Sequence, residues 1–196
     1  MPCTLVRLAG CPLRCRYCDT PHAWSFERGT DMAVDALVAD IVARGRPLVL
    51  VSGGEPLAQP ACIALLAALV GTGRLVQLET SGAFDIADVP VGVRRILDIK
   101  TPGSGEAERN LAGNLAELRG GDEIKFVITD RGDYEWARAM ITEQAWEQRG
   151  LPVLLSPSWG ELAAAELAAW VIADHLPARL HLQQHKLVWG GEAKGV

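Results

Sequence analysis

Long hydrophobic runs are missing from this chain: the longest wholly apolar stretch, 61–70, has ten residues, against the roughly 20 needed to cross a bilayer. No membrane-spanning helix is expected. Positive charge is not in excess either. With 19 Lys and Arg against 24 Asp and Glu, a net charge of -5 and a pI near 5.4, an extended phosphate-binding face is disfavoured and a small substrate fits better. No signal-peptide pattern is visible, since Met1 leads almost directly into a strand-like segment. No internal repeat or low-complexity linker interrupts the chain. Five cysteines, three of them in one loop, suit a reducing cytoplasm better than a disulfide framework. A chain of 196 residues buries roughly 70 % of its unfolded surface, enough for a core without disulfide or metal staples.

What is present starts with Cys11, Cys15 and Cys18, spaced C-x3-C-x2-C after an apolar stretch at 4–9. The spacing places three thiolates on one loop. A cubane iron-sulfur cluster normally takes four cysteines, so a triplet this compact leaves one iron open to a small molecule. Zinc is the competing reading, with His22 or Cys3 as a fourth ligand. Structural zinc sites, however, usually come as two ligand pairs separated by a loop or helix.

Strand-like segments fall at 4–9, 48–52, 75–79, 94–100, 123–128, 152–155 and 179–183. Helical patterns lie between most of them, at 31–43, 60–70, 106–119, 134–148 and 161–175, with Thr30 as a candidate cap for the first. This alternation predicts an α/β fold with a parallel sheet. Too few strands are present for a closed eight-stranded barrel, so an open, partial parallel β/α barrel of about six strands in one domain, 1–196, is expected. Its site belongs at the carboxyl ends of the strands.

The unusual motifs sit at those ends. A continuous apolar run, Leu48 to Val51, is followed by Ser52-Gly53-Gly54-Glu55-Pro56, where two glycines would admit a ligand close to the backbone and Glu55 would accept a hydrogen bond from a ligand ammonium. Glu79-Thr80-Ser81-Gly82 and Asp98-Ile99-Lys100-Thr101-Pro102-Gly103-Ser104 offer hydroxyls and charges suited to ribose and carboxylate. Ser156-Pro157-Ser158-Trp159-Gly160 closes a later strand, with Trp159 stacking on adenine or packing in the core. Strand alternation puts Gln77 with Glu79, Asp98 with Lys100 and Glu123 with Lys125 on one face, and Leu78, Ile99, Ile124 and Phe126 on the other. The polar set describes either a lumen around a polar cofactor or solvent-facing edge strands. Cys62 shares a helical face with Leu65, Leu66 and Leu69 and is expected in the core, while Cys3 is expected to pack rather than ligate. His175, His181 and His185 are scattered, and only His185, beside Lys186, is a candidate substrate contact.

Taken together, residues 6–20 with their three cysteines and Cys-Asp-Thr ending, Ser52-Gly53-Gly54-Glu55-Pro56, Glu79-Thr80-Ser81-Gly82, Asp98-Ile99-Lys100 and Gln184-His185-Lys186 resemble the 7-carboxy-7-deazaguanine synthase family of radical S-adenosylmethionine (SAM) enzymes. The resemblance runs nearly end to end. It implies radical-mediated ring contraction of 6-carboxy-5,6,7,8-tetrahydropterin to 7-carboxy-7-deazaguanine with loss of ammonia, on the way to queuosine and related 7-deazapurines. Hydrogen would be taken from the pterin C6 and later returned. Carried over by position, it implies a 4Fe-4S cluster on Cys11, Cys15 and Cys18. S-adenosyl-L-methionine would be lined by Tyr17, Cys18, Asp19, Gly54, Asp98, Ile99, Lys100, Ser156, Pro157, Ser158 and Trp159. Mg2+ would sit on Thr20, and pterin contacts would come from Arg7 and Ser52. An electron donor such as flavodoxin or ferredoxin and a homodimer are implied as well.

Two residues have plain alternatives: Thr20 as a turn cap and Arg7 as half of an ion pair. The family also carries, before the first strand, a pterin-recognising segment that this sequence does not match. Two other functions compete: a small radical SAM activase that installs a glycyl radical on a partner enzyme, and a non-enzymatic zinc-binding module.

Overall fold

The computed structural model describes residues 1–191. Seven strands, β1 (Cys3–Leu8), β2 (Leu48–Gly53), β3 (Leu75–Thr80), β4 (Val93–Asp98), β5 (Glu123–Ile128), β6 (Val153–Pro157) and β7 (Arg179–Leu180), form one all-parallel sheet in sequential order. The sheet is open, with β1 and β7 at its two edges. The seventh expected strand, at 179–183, is reduced to the two residues of β7, which pair with β6, Leu154 with Arg179 and Leu155 with Leu180.

Period-two alternation separates the two faces. Val6, Val49, Val51, Val76, Leu78, Val93, Leu97, Ile124, Phe126, Val153 and Leu155 belong to one buried apolar cluster beneath the helices. Those helices are α1 (Val34–Ala43), α2 (Cys62–Gly71), α3 (Asn114–Glu117), α4 (Arg131–Gln144), α5 (Ala164–Ala173) and α6 (Gln184–Trp189). Cys62, Leu65, Leu66 and Leu69 form the buried face of α2. Cys62 is 1 % exposed, as its helical spacing predicted. Burial pushes its thiol up to about 12, so it behaves as a small apolar side chain. Cys3, by contrast, is exposed on β1 rather than packed.

Two helices differ from expectation. The first starts at Val34, not after Thr30, and Ala33 occupies the cap position without a side-chain bond. The expected helix at 106–119 is reduced to a 3-10 turn, Ala107–Arg109, and the single turn of α3. Its asparagines are drawn into backbone pairing elsewhere: Asn110 brackets Lys100, accepting from its N–H at 2.9 Å and donating to its carbonyl at 2.8 Å. Asn114 donates to the carbonyls of Gly82 and Phe84. Side chains that compete for backbone groups, with Gly113 between them, outweigh the local helical preference.

Candidate functional site at the carboxyl edge of the sheet

The loop after β1 carries the three cysteines and is fastened along its length. Leu13 is buried beneath it. Gly10 N donates to Ala23 O at 2.8 Å and Cys11 N to Trp24 O at 3.1 Å, while the Arg14 guanidinium stacks 5.0 Å from the Trp24 ring centroid. Arg16 donates from its backbone to Ser104 O and from Nε to Gly103 O, joining the loop to the exit of β4. Cys11, Cys15 and Cys18 are free and half-buried. Burial pushes the Cys15 thiol up to about 11 and raises Cys11 as well. Both are neutral thiols until a metal displaces the proton.

The glycine pair at the end of β2 also has a structural role. A Cβ on Gly53, whose φ is +154°, would lie 2.1 Å from Leu8 O, and one on Gly54 would lie 2.3 Å from Gly10 O and 2.6 Å from Ala23 O. What approaches these glycines is the backbone of the cysteine loop, with Gly54 N donating to Leu8 O and Glu55 N to Gly10 O. Glu55 is likewise not open to a ligand ammonium. It is 0 % exposed, and its carboxylate accepts from Leu57 N, Thr80 Oγ1, Ser81 N and Ser81 Oγ at 2.5–3.0 Å. The hydroxyls of Thr80 and Ser81 are thereby committed. Those of Thr101 and Ser104 are committed too, donating to Val127 O and Thr101 O.

The polar strand face is the lumen side rather than a solvent-facing edge: it runs over interior strands, and its Asp98, Lys100 and Lys125 side chains are only 9–14 % exposed. Lys125 Nζ lies 2.5 Å from Glu79 Oε1 and 3.4 Å from Asp98 Oδ2, and Lys100 Nζ lies 3.0 Å from Asp98 Oδ1. Burial opposes both ammonium charges, but Asp98 beside Lys100, and Glu79 and Asp98 beside Lys125, outweigh it and hold both lysines above their ordinary range. Burial likewise opposes the Asp98 carboxylate, which the two ammonium groups hold below its usual value. Two cations and two anions so arranged balance one another's charge, with Asp98 Oδ1 left without a hydrogen bond among the described residues, and give the lumen a fixed charge pattern. Ile99 alternates away from it, and its side chain lies in the apolar core; only its main chain faces the site.

Arg7 and Ser52 are register partners on β1 and β2. Arg7 is exposed and makes no ion pair among the described residues. Thr20 precedes a 3-10 turn without a side-chain capping bond, and its Oγ1 lies 3.9 Å from Cys18 Sγ. Ser156 and Ser158 are buried at the end of β6, whereas Trp159 is 48 % exposed and outside the core. His185 is half-buried on α6.

Several residues here were missed in the sequence. Asp133, buried on α4, accepts from Gly103 N and from Thr129, securing the β4 exit loop against which the cysteine loop rests. Lys125 and Lys186 were not singled out as charge partners. One signal was available: the sequence holds four lysines, at 100, 125, 186 and 194, and the three within the described residues all make ion pairs around this site.

The donor set fits a cubane cluster better than a single ion. Zinc needs ligands converging on one point, and among the described residues no three His, Cys, Asp or Glu side chains do so. Cys3 lies at the far end of β1, a strand away from the loop. A cubane spreads three thiolates over three irons and needs no such convergence. Tyr17, between the second and third cysteines, is raised by burial, and its buried hydroxyl has no protein partner among the described residues, as expected of a wall completed by a bound polar group.

Residues 5–97 match the model of the Radical SAM superfamily. The whole chain is 39 % identical to a 7-carboxy-7-deazaguanine synthase of Chlorobaculum tepidum over 198 residues, covering 89 % of that protein. It is 40 % identical to one of Koribacter versatilis over 211 residues, covering 92 % of it. A third, of Methanospirillum hungatei, is 35 % identical over 95 % of this chain and 77 % of its own length. Among solved structures, Streptococcus suis SuiB bound to precursor peptide SuiA superimposes with a TM-score of 0.65 at 11 % identity, over 92 % of this chain and 48 % of SuiB. SuiB bound to S-adenosylmethionine gives 0.63 at 10 % identity, over 92 % and 47 %. That likeness is one of fold.

Proposed function

The chain belongs to the 7-carboxy-7-deazaguanine synthase family of the radical SAM superfamily, and from that premise we infer that it contracts the ring of 6-carboxy-5,6,7,8-tetrahydropterin to 7-carboxy-7-deazaguanine, with loss of ammonia, in 7-deazapurine (queuosine) biosynthesis. The observation that carries this reading is the arrangement of three half-buried free thiols beside a charged lumen, with an arginine at the sheet edge that makes no ion pair among the described residues. Superfamily membership brings a 4Fe-4S cluster and S-adenosyl-L-methionine, and when bound that pair supplies hydrogen abstraction at the pterin C6.

The chain's own residues supply placement and exclusion. Cys11, Cys15 and Cys18 would hold three irons and leave the fourth open. Tyr17, Cys18, Asp19, the main chain of Gly54 and Ile99, Asp98, Lys100 and the 156–159 turn would line the SAM. Arg7, free of any carboxylate among the described residues, is suited to a bidentate grip on the pterin carboxylate, with Ser52 beside it. Thr20 would offer oxygen to Mg2+, a hard cation that prefers such ligands. Thr20→Ala is expected to raise the Mg2+ concentration for half-maximal turnover severalfold. An unchanged magnesium titration would remove Thr20 from that role.

The proposal extends to residues 1–196 as one catalytic unit, a homodimer, a cytoplasmic location, and a flavodoxin or ferredoxin as donor. Among the described residues no helix is long and apolar enough to cross a membrane. Anaerobic incubation with the carboxylated pterin, S-adenosyl-L-methionine, Mg2+ and a reductant tests the function directly. A product with the mass of 7-carboxy-7-deazaguanine is expected. A brown protein that cleaves the cofactor but leaves the pterin intact would favour a glycyl-radical activase instead, and a colourless zinc protein would exclude both.

A further inference from the structure

Lys186 is one of the few buried charges outside the lumen belt. Its side chain is 7 % exposed, although it sits on the last described helix. Its Nζ lies 3.2 Å from Asp19 Oδ2, directly after the last cysteine, and 5.7 Å from the ring centroid of Trp159, after β6. Gln183 Nε2 donates to the same Asp19 oxygen at 2.8 Å. Gly191 closes over the same indole, where a Cβ would lie 2.7 Å from Trp159 Nε1. Asp19 and Gln183 are 164 residues apart in sequence. Asp19 follows the strand at one edge of the open sheet, and Trp159 and α6 belong to the opposite edge. A buried ammonium is retained only with a counter-charge, and the aromatic face adds a second, weaker attraction.

We propose that Lys186 is a positioning residue that latches α6 across the open side of the sheet, tying Asp19 on the cysteine loop to Trp159 on the β6 turn so that the two sides of the SAM site keep one spacing. The sheet itself cannot do this, because β1 and β7 share no hydrogen bonds. Lysine reaches both partners with one charge. A neutral residue there would leave Asp19 to Gln183 alone. The inference rests on the assignment of this site to S-adenosyl-L-methionine.

The test uses cluster-reconstituted holoenzyme as wild type, Lys186→Met and Lys186→Arg. Backbone hydrogen exchange is compared without ligand, and the Kd for S-adenosyl-L-methionine is measured by anaerobic equilibrium dialysis. Loss of this pair, in which Asp19 is 38 % exposed, is expected to raise that Kd about threefold to fivefold in Lys186→Met. Exchange is expected to speed up in both 11–24 and 183–191, with the core strands unchanged and most of both effects recovered in Lys186→Arg. Faster exchange confined to 183–191 with an unchanged Kd would overturn the latch, as would a general loss of protection in every strand or no change at all. A wild-type holoenzyme that binds no S-adenosyl-L-methionine would instead sink the assignment of the site, while the exchange at 11–24 still decides whether Lys186 holds the cysteine loop.

Discussion

Cys15→Ala is expected to abolish cluster assembly and turnover together while the domain stays folded. No spare thiol stands near among the described residues. Cys62 is sealed in the core and Cys3 lies at the other end of β1. With Cys15 gone, two thiolates remain for a cluster that needs three protein corners to leave one iron open. The loop itself does not depend on this thiol: Leu13 beneath it, the backbone bonds of Gly10 and Cys11, and the Arg16 contacts to Gly103 and Ser104 all survive. Iron and sulfide analysis, the visible spectrum and far-UV circular dichroism of an anaerobic preparation check each half. A variant with a full complement of iron and sulfide that still forms product would remove Cys15 from the cluster.

Glu55→Ala is expected to damage stability more than any change in the cysteine loop. The glutamate is fully buried and its two oxygens accept four hydrogen bonds, which fasten the exit of β2 to the exit of β3. Removing it orphans the donors of Leu57, Thr80 and Ser81, a loss of about 3–5 kcal/mol. For a domain of this length that lowers the melting temperature by roughly 10 °C. Glu55→Gln, which keeps one acceptor, should lose less. Were Glu55 instead the receptor of a ligand ammonium, Glu55→Ala would melt normally and bind S-adenosyl-L-methionine poorly. Thermal and urea unfolding beside a binding titration separate the two.

The contrast between these residues shows where the sequence was legible. Cys11, Cys15 and Cys18 are read directly, because loop spacing alone brings three thiols together. The alternation at 75–79, 94–100 and 123–128 correctly placed Leu78, Ile124 and Phe126 in the core and Glu79, Asp98 and Lys125 opposite. The motif Gly53-Gly54-Glu55 was found, but its structural contacts were not. Nothing local says that its glycines receive the backbone of Gly10 and Ala23, or that Glu55 turns inward to Thr80 and Ser81. Asn110 and Asn114 misled for the same reason, since their backbone partners are at Lys100, Gly82 and Phe84.

By itself the sequence determined the parallel α/β architecture, the three-thiol loop and the family, since all of these are written in short-range periodicity, spacing and motif. Only the tertiary structure decided how those parts are held. Burial couples groups far apart in the chain, and a buried charge or hydroxyl takes whichever partner the packing brings within about 3 Å. For Glu55 that partner set is the next strand, for Lys125 it is Glu79 and Asp98, and for Lys186 it is an aspartate at the opposite edge of the sheet.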